Sequence, residues 1–573
     1  MGLFKKLSNR LQKVAFCNPT GNISNLVEHA ENLPDWGSLL TKERRIWSNA
    51  KVNAQNGPDV LIATTVGGFA ALSSLESLLA VALTLRGARV HTLLCDAVLP
   101  TCLRVEYPTI PDPQVIADYG IQGRLCNSCQ ETGQYLFGPL GLVNHKLSEL
   151  IDDASRQRAK RFAAAVSLEE IPDFRLDDVA VGEHAYAGAL RYFASGNLYH
   201  ESLGEVVVRR YLEAAILTAE GLNQLTRQYP FVSSCFNHGI YCPQGVIGDV
   251  LRKAGSRVVN WNIAYRKKCF IFSHNDTYHH TLLEEPVEAW ETMPWTDVTE
   301  AEIKEYLRSR WQGSNDWIWF HEKPEERFEK IAEELDLDRT RPIIGMLTNV
   351  MWDAQLHYRA NAFPNMLSWV MDTIRYFAQR SGLQLVIRIH PAEIRGTLPS
   401  RQPLLHEIQK EWQVLPPNVK VIPPESQVST YAVMEHCDSV LIYGTKTGVE
   451  LTSIGIPVIV AGEAWIRNKG VTLDASSRDE YIGLLNNLPL GKRLDDETRL
   501  RALKYAYHFF YRRMIPLDLM EPTGAWPPYR PSIESLEQLM PGRDTGLDIV
   551  CDGIMNGTPF VYPAELLSGG RDG

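Results

Sequence analysis

The chain has 573 residues, 45% hydrophobic and 22% charged, which is too long for one core and too apolar for a disordered polypeptide. Its 58 basic and 68 acidic residues leave a formal charge of -10, so it lacks the cationic excess of a general nucleic-acid binder. No apolar run reaches the roughly 20 residues that cross a bilayer; the best, Ser77 to Leu85, stops at Arg86.

Near the start, Leu3, Phe4, Leu7, Leu11 and Val14 recur at helical spacing among Lys5, Lys6, Arg10 and Lys13. This predicts an amphipathic basic helix over residues 1–20, suited to the anionic inner face of a cell membrane or to docking on the protein's own body. No continuous apolar core follows those cations, so a cytoplasmic location, peripheral on the inner membrane surface, is expected rather than export.

A first α/β unit is predicted over residues 57–290. It opens with a strand at Val60 to Thr64, a turn at Gly67 and Gly68, a long helix from Ala70 to Leu85 and a strand at Arg89 to Leu94, the order of a parallel βαβ unit. Helices near Val206 to Gln228 and Gly245 to Ala254 then alternate with strands at Phe231 to Phe236 and Arg257 to Asn262. Residues 291–340 lack strand signals and read as a connection with a helix from Glu300 to Trp311. A second α/β unit, over 341–490, carries strands at Ile343 to Leu347, Leu385 to Ile389, Val419 to Ile422, Ser439 to Tyr443 and Pro457 to Val460. A late helix, Asp495 to Arg513, and a Pro- and Gly-rich tail occupy 491–573 and are expected to lead back toward the first unit.

Ligands of open parallel sheets sit beyond the carboxyl ends of the strands, so residues at those ends are the candidates for chemistry. Gly444, Thr445, Lys446, Thr447 and Glu450 join a strand to a helix. Backbone N–H groups and the Lys446 cation there suit a phosphate, and Glu450 suits ribose hydroxyls. Thr447 and Glu450 also have the spacing of a capping box, which needs no ligand. His390 follows its strand directly, and Pro391 turns the chain there. In the first unit His238 emerges at a strand end within Asn237-His238-Gly239-Ile240-Tyr241-Cys242-Pro243-Gln244. It is a candidate general base, or else fixes the turn or binds substrate. Tyr241 and Gln244 fall beside it as acceptor or phosphate groups. The stretch Tyr265 to Thr281 is dense in polar and aromatic side chains and offers Asp276 as the alternative base. Gly67 and Gly68 would let backbone amides approach a phosphate, or simply form a tight turn. Ten cysteines without a secretion signal predict reduced thiols. Cys95, Cys102, Cys126 and Cys129 are clustered, the last two as C-x-x-C, and could hold a structural zinc or remain unlinked.

Arg388-Ile389-His390-Pro391, followed by Gly444-Thr445-Lys446-Thr447-Gly448-Val449-Glu450 and Gly455-Ile456-Pro457-Val458, resembles the nucleotide-binding domain of capsule polysaccharide biosynthesis proteins. These are similar to bacterial sialyl- and Kdo-transferases, with a His-Pro motif and a downstream Ser/Thr motif. The likeness spans about residues 343–462, and Thr445-Lys446-Thr447 stands where the family often has Ser-Thr, which leaves base and sugar open. The resemblance implies a GT-B glycosyltransferase, two Rossmann-like domains facing a central cleft. Arg388, His390 and the Gly444 to Glu450 loop would bind a nucleotide-sugar donor, and the first domain a glycan or glycolipid acceptor. No cofactor would be required for catalysis, and no nucleic acid would bind. A nucleotide-sugar 2-epimerase, or a non-catalytic polysaccharide assembly subunit, are the alternatives.

Overall fold

The computed structural model describes residues 32–567, apart from 122, 124, 313–315, 317–323, 355 and 525–526. The basic helix expected over 1–20 therefore lies outside the described residues. Among those described, no helix is long and apolar enough to cross a membrane.

Six strands open the first sheet: β1 (Asp59–Thr65), β2 (Arg89–Leu94), β3 (Val143–Lys146), β4 (Ser233–Asn237), β5 (Arg257–Ile263) and β6 (Cys269–His274). Six more build the second: β7 (Ile343–Leu347), β8 (Gln384–Arg388), β9 (Val419–Ile422), β10 (Ser439–Ile442), β11 (Val458–Val460) and β12 (Leu473–Asp474). A late strand, β13 (Met514–Pro516), returns to the first sheet and pairs antiparallel with β6.

The order in the second sheet is β12-β11-β10-β7-β8-β9, parallel throughout. The first runs β13-β6-β5-β4-β1-β2-β3, parallel from β5 to β3. Each therefore reverses direction once, between β1 and β4 and between β7 and β10, as a doubly wound dinucleotide-type sheet does. Two Rossmann-like units result.

Helices cover both faces, so the central strands are apolar without alternation. Leu61 and Ala63 of β1 meet helices Val181–Phe193 and Gly204–Gln228, while Val60 and Ile62 meet Ala70–Leu85. That last helix is buried along nearly its whole length, because Thr545–Asn556 and the hairpin Met520–Pro522/Tyr529–Pro531 cover it from the carboxyl-terminal end of the chain. Arg86 secures the return by donating to Leu539 O at 2.6 Å and pairing with Asp548.

The 265–281 stretch, read from sequence only as dense in polar and aromatic side chains, contains β6: Phe270 and Phe272 pack on the sheet while charged residues flank them. The connection is helical, with Asp297–Gln312 and Phe328–Glu334 packed into the core of the second unit.

The carboxyl edges of the two sheets face one another. Tyr241, beyond β4, donates its hydroxyl to Asp353 Oδ1, beyond β7, at 2.7 Å, and Ala354 N–H donates back to that hydroxyl at 3.0 Å. Arg401 N–H to Ala194 O and Gly196 N–H to Gln402 Oε1, both 2.9 Å, close the same junction.

Candidate active site

In the second unit the crevice lies between β7 and β10. Asn349 Oδ1 accepts from Gly444 N–H across it at 3.3 Å. His390 leaves β8 with its backbone N–H donating to Thr348 Oγ1 at 3.2 Å, and its Nδ1 accepts from Ala392 N–H at 3.1 Å. An accepting Nδ1 puts the ring proton on Nε2, which makes this imidazole a donor at its far end. Thr445 Oγ1 accepts from Thr447 N–H at 3.3 Å and stands 3.2 Å from the Thr447 hydroxyl. Helix Thr447–Ser453 thus starts without a side-chain bond from its own N-cap, Lys446.

The capping box is not formed, because Glu450 turns the other way. Its carboxylate meets Arg310 Nε and Lys446 Nζ, each at 3.1 Å, and accepts from the Tyr431 hydroxyl. Burial opposes its ionisation, but the Arg310 and Lys446 cations outweigh that and hold it down to about 2. Arg310 also pairs with Asp316 and bonds Tyr306 at 3.1 Å. Glu450, expected on ribose, therefore locks the connecting helix to the second unit. Arg388, expected on nucleotide, is buried with its guanidinium on Pro423 O at 2.5 Å and Ser426 O at 3.2 Å, organising the loop after β9. Burial, with Arg395 nearby, lowers it to about 10.

In the first unit the crevice lies between β1 and β4, and both strands end in left-handed backbone: Thr65 has φ 49° and His238 φ 66°. Such values in non-glycine residues cost energy and concentrate at functional sites. Burial and the Arg191 cation push His238 down to about 4 against the pull of Asp353, so it is neutral at pH 7. Its Nδ1 is buried with no hydrogen-bond partner among the described residues. Gln244 is buried beside it with Oε1 likewise unpartnered, and Tyr241 is committed to Asp353.

Gly67 and Gly68 are fixed by packing against a helix. A Cβ on Gly67 would stand 2.7 Å from Gly133 Cα, and one on Gly68 would stand 2.6 Å from Cys129 Cα. Close passage of helix Cys126–Phe137 is what requires them. Asp276 accepts from Thr277 N–H at 2.6 Å and lies 2.9 Å from His280 Nδ1. Despite burial, that histidine holds its carboxyl below the usual range, and against burial Asp276 in turn raises His280.

Aromatic side chains from both units meet where the crevices face each other. His238 lies 5.0 Å from the Tyr241 ring and 6.2 Å from His279; His279 lies 5.6 Å from Trp465 of the second unit. Lys446 Nζ stands 4.7 Å over Tyr265. His279 falls within the polar and aromatic Tyr265 to Thr281 stretch, whereas Asp353 and Trp465 were not singled out from sequence. Asp353 had the signal that marked His390, a place just beyond a parallel strand, whereas Trp465 had none.

Cys95, Cys102, Cys126 and Cys129 do converge, around one cavity of about 20 Å³ that Arg104 also borders. All four are free thiols, and burial pushes Cys95 up to about 12.

Two Rossmann-like units with facing carboxyl edges and a polar, aromatic space between them define the GT-B class of architecture. No family model matches the chain, and no curated protein does. Among solved structures it is similar to KpsC of Thermosulfurimonas dismutans, a beta Kdo 2,4 transferase, at 16% identity and TM-score 0.31, over 50% of this chain and 82% of that one. It is also similar to UDP-GlcNAc 2-epimerase from Neisseria meningitidis bound to UDP-GlcNAc, at 10% identity and TM-score 0.25, over 78% and 93% of the two chains. Sucrose-phosphate synthase from Thermosynechococcus elongatus matches at 12% identity and TM-score 0.24, over 80% and 95%.

Proposed function

We propose that this chain is a glycosyltransferase that moves a sugar from a nucleotide-activated donor to a glycan or glycolipid of a bacterial surface polysaccharide. The observation that carries the reading is the meeting of two unlike crevices: neutral, buried His238 on one side, and His390, Thr445, Lys446 and Thr447 on the other. The donor nucleotide lies along the β7–β10 crevice, where the Nε2–H of His390, the two threonine hydroxyls and the Lys446 ammonium reach its phosphates. The acceptor lies against the first unit. His238 takes the proton of the acceptor hydroxyl as that oxygen attacks the anomeric carbon. The bond from that carbon to phosphate oxygen breaks, and the nucleotide leaves with its new charge stabilised by the cation and hydroxyls opposite. Closure of the aromatic space keeps water from the donor. The basic segment at residues 5–13 brings the enzyme to anionic lipid, where a lipid-linked acceptor resides.

A thermal-shift screen against UDP, GDP, CMP and their sugars tests this. A donor at about a hundredfold its Kd stabilises the native state by about 2.7 kcal/mol, so one base should raise Tm and its sugar should be consumed only with a glycan acceptor. Isomerised nucleotide sugar without acceptor would make the chain an epimerase, and stabilisation without turnover a binding subunit. No stabilisation by any nucleotide would end the reading.

A further inference from the structure

Cys95 and Cys102 lie on the segment after β2, and Cys126 and Cys129 in the first turn of helix Cys126–Phe137. Both pieces are far apart in the chain's path, yet their sulfurs border the same cavity, about 20 Å³ in volume. That is room for about one water-sized occupant. Gly68 N–H donates to Cys129 Sγ at 3.1 Å, and Cys126 Sγ donates to Ile121 O at 3.9 Å. A thiol is a weak acceptor, whereas an anionic sulfur takes such bonds strongly. The Gly68 amide suits an anionic Cys129, and the other three sulfurs share its cavity.

We propose that Cys95, Cys102, Cys126 and Cys129 form a four-thiolate site for a single soft cation of the Zn²⁺ class. All four positions of a tetrahedral ion would be filled by protein, so the site is structural and leaves no open position for substrate. Four thiolates and one divalent ion keep a net negative charge, which Arg104 offsets from the cavity wall, held there by Leu125 O and Ser128 Oγ, each at 3.1 Å. Among the described residues no three or more His, Cys, Asp or Glu side chains already stand at metal-site spacing. The ion therefore draws the sulfurs inward, to about 2.3 Å from itself, and its binding is coupled to closure of this corner. Since Gly68 at the end of β1 bonds Cys129, the ion fixes one wall of the first crevice. This site is independent of the transfer reaction proposed above.

Elemental analysis of the full chain, purified without chelator, should find about one zinc per molecule. Cys126→Ser/Cys129→Ser should lose it. Because that variant could unfold, the parent is also stripped with a chelator at neutral pH. Stripping should lower Tm, Zn²⁺ should restore it, and Co²⁺ should give a thiolate charge-transfer band. A parent that holds no metal, and whose Tm and spectrum ignore both ions, overturns the proposal. So does a folded double variant with the parent's zinc content, and so does iron with acid-labile sulfide in place of zinc.

Discussion

Replacing Glu450 by alanine asks whether this carboxylate serves the fold or a ligand. It is 2% exposed, and its oxygens face Arg310, Lys446 and Tyr431. Without it, Arg310 keeps Asp316 and Tyr306 but loses the partner that faces its Nε, and Lys446 keeps only the face of Tyr265 among its named neighbours. Removing one member of a buried ion pair costs about 3–5 kcal/mol. At about 2–4 °C of Tm per kcal/mol for a unit of this size, Glu450→Ala should lower Tm by about 6–20 °C. Adding Arg310→Met removes the orphaned cation and should recover part of that loss. The pH dependence has a definite sign. Glu450 is held at about 2 in the fold against an ordinary 4.5, so its contribution is complete above 4.5 and is lost as pH falls from there toward 2. Thermal unfolding of parent, single and double variants between pH 3 and 7 measures all of this. Should Glu450→Ala unfold within about 1 °C of the parent while nucleotide affinity drops tenfold or more, the structural assignment fails and the carboxylate is a ligand group.

Three further outcomes follow from the same geometry. On the proposed function His390→Ala removes a donor to the nucleotide phosphates, worth about 1.5–3 kcal/mol, so nucleotide affinity measured by calorimetry should fall about 10- to 150-fold. Gly68→Ala forces a Cβ against Cys129 Cα and should cost about 1–3 kcal/mol in unfolding experiments, with nucleotide affinity unchanged in the folded fraction. His238→Gly should unfold no lower than His238→Ala, since both lose the buried ring but glycine accepts φ 66° without the roughly 1 kcal/mol that other residues incur, while in both kcat falls by about 10²–10⁴-fold. In the parent, activity that depends on neutral His238 should persist below the usual histidine range and fail only as pH drops through about 4.

The two sheets were legible because central parallel strands are apolar on both faces, so β1, β4, β7, β8 and β10 appear as short buried runs. Edge strands lack that signature: Val143–Lys146 of β3 is largely exposed and polar. β6 was hidden because Arg266 to Lys268 and Asn275 to His280 outweigh its apolar middle. The same asymmetry governs the site. His238 and His390 could be picked out because a strand end is a local feature. The partner of Glu450 could not, since Arg310 reaches it only through the way the connecting helix lies on the second unit. Gly67 and Gly68 looked like a ligand turn for a related reason, as the helix that presses on them begins well downstream.

The strained residues suggest why the two crevices differ. Thr65, His238 and Ala354 all have positive φ, and all three lie where the carboxyl edges meet. At about 1–3 kcal/mol each, such conformations persist only where surrounding contacts hold them. Here those contacts are known: His238 N–H donates to Trp261 O at 2.9 Å, and Ala354 N–H donates to the Tyr241 hydroxyl that bridges to Asp353. A junction built only to join two units gains nothing from histidine at φ 66°, where glycine would be cheaper and would leave no buried Nδ1 without a partner. What histidine adds is an imidazole kept neutral by burial, opposite a crevice that carries Lys446 and paired hydroxyls, and the proposed transfer uses it as the base. Proton removal needs the first environment and a departing phosphate needs the second. Separate units let each be built without spoiling the other, whereas a single pocket holding both would let the cation lower the basicity of the imidazole still further.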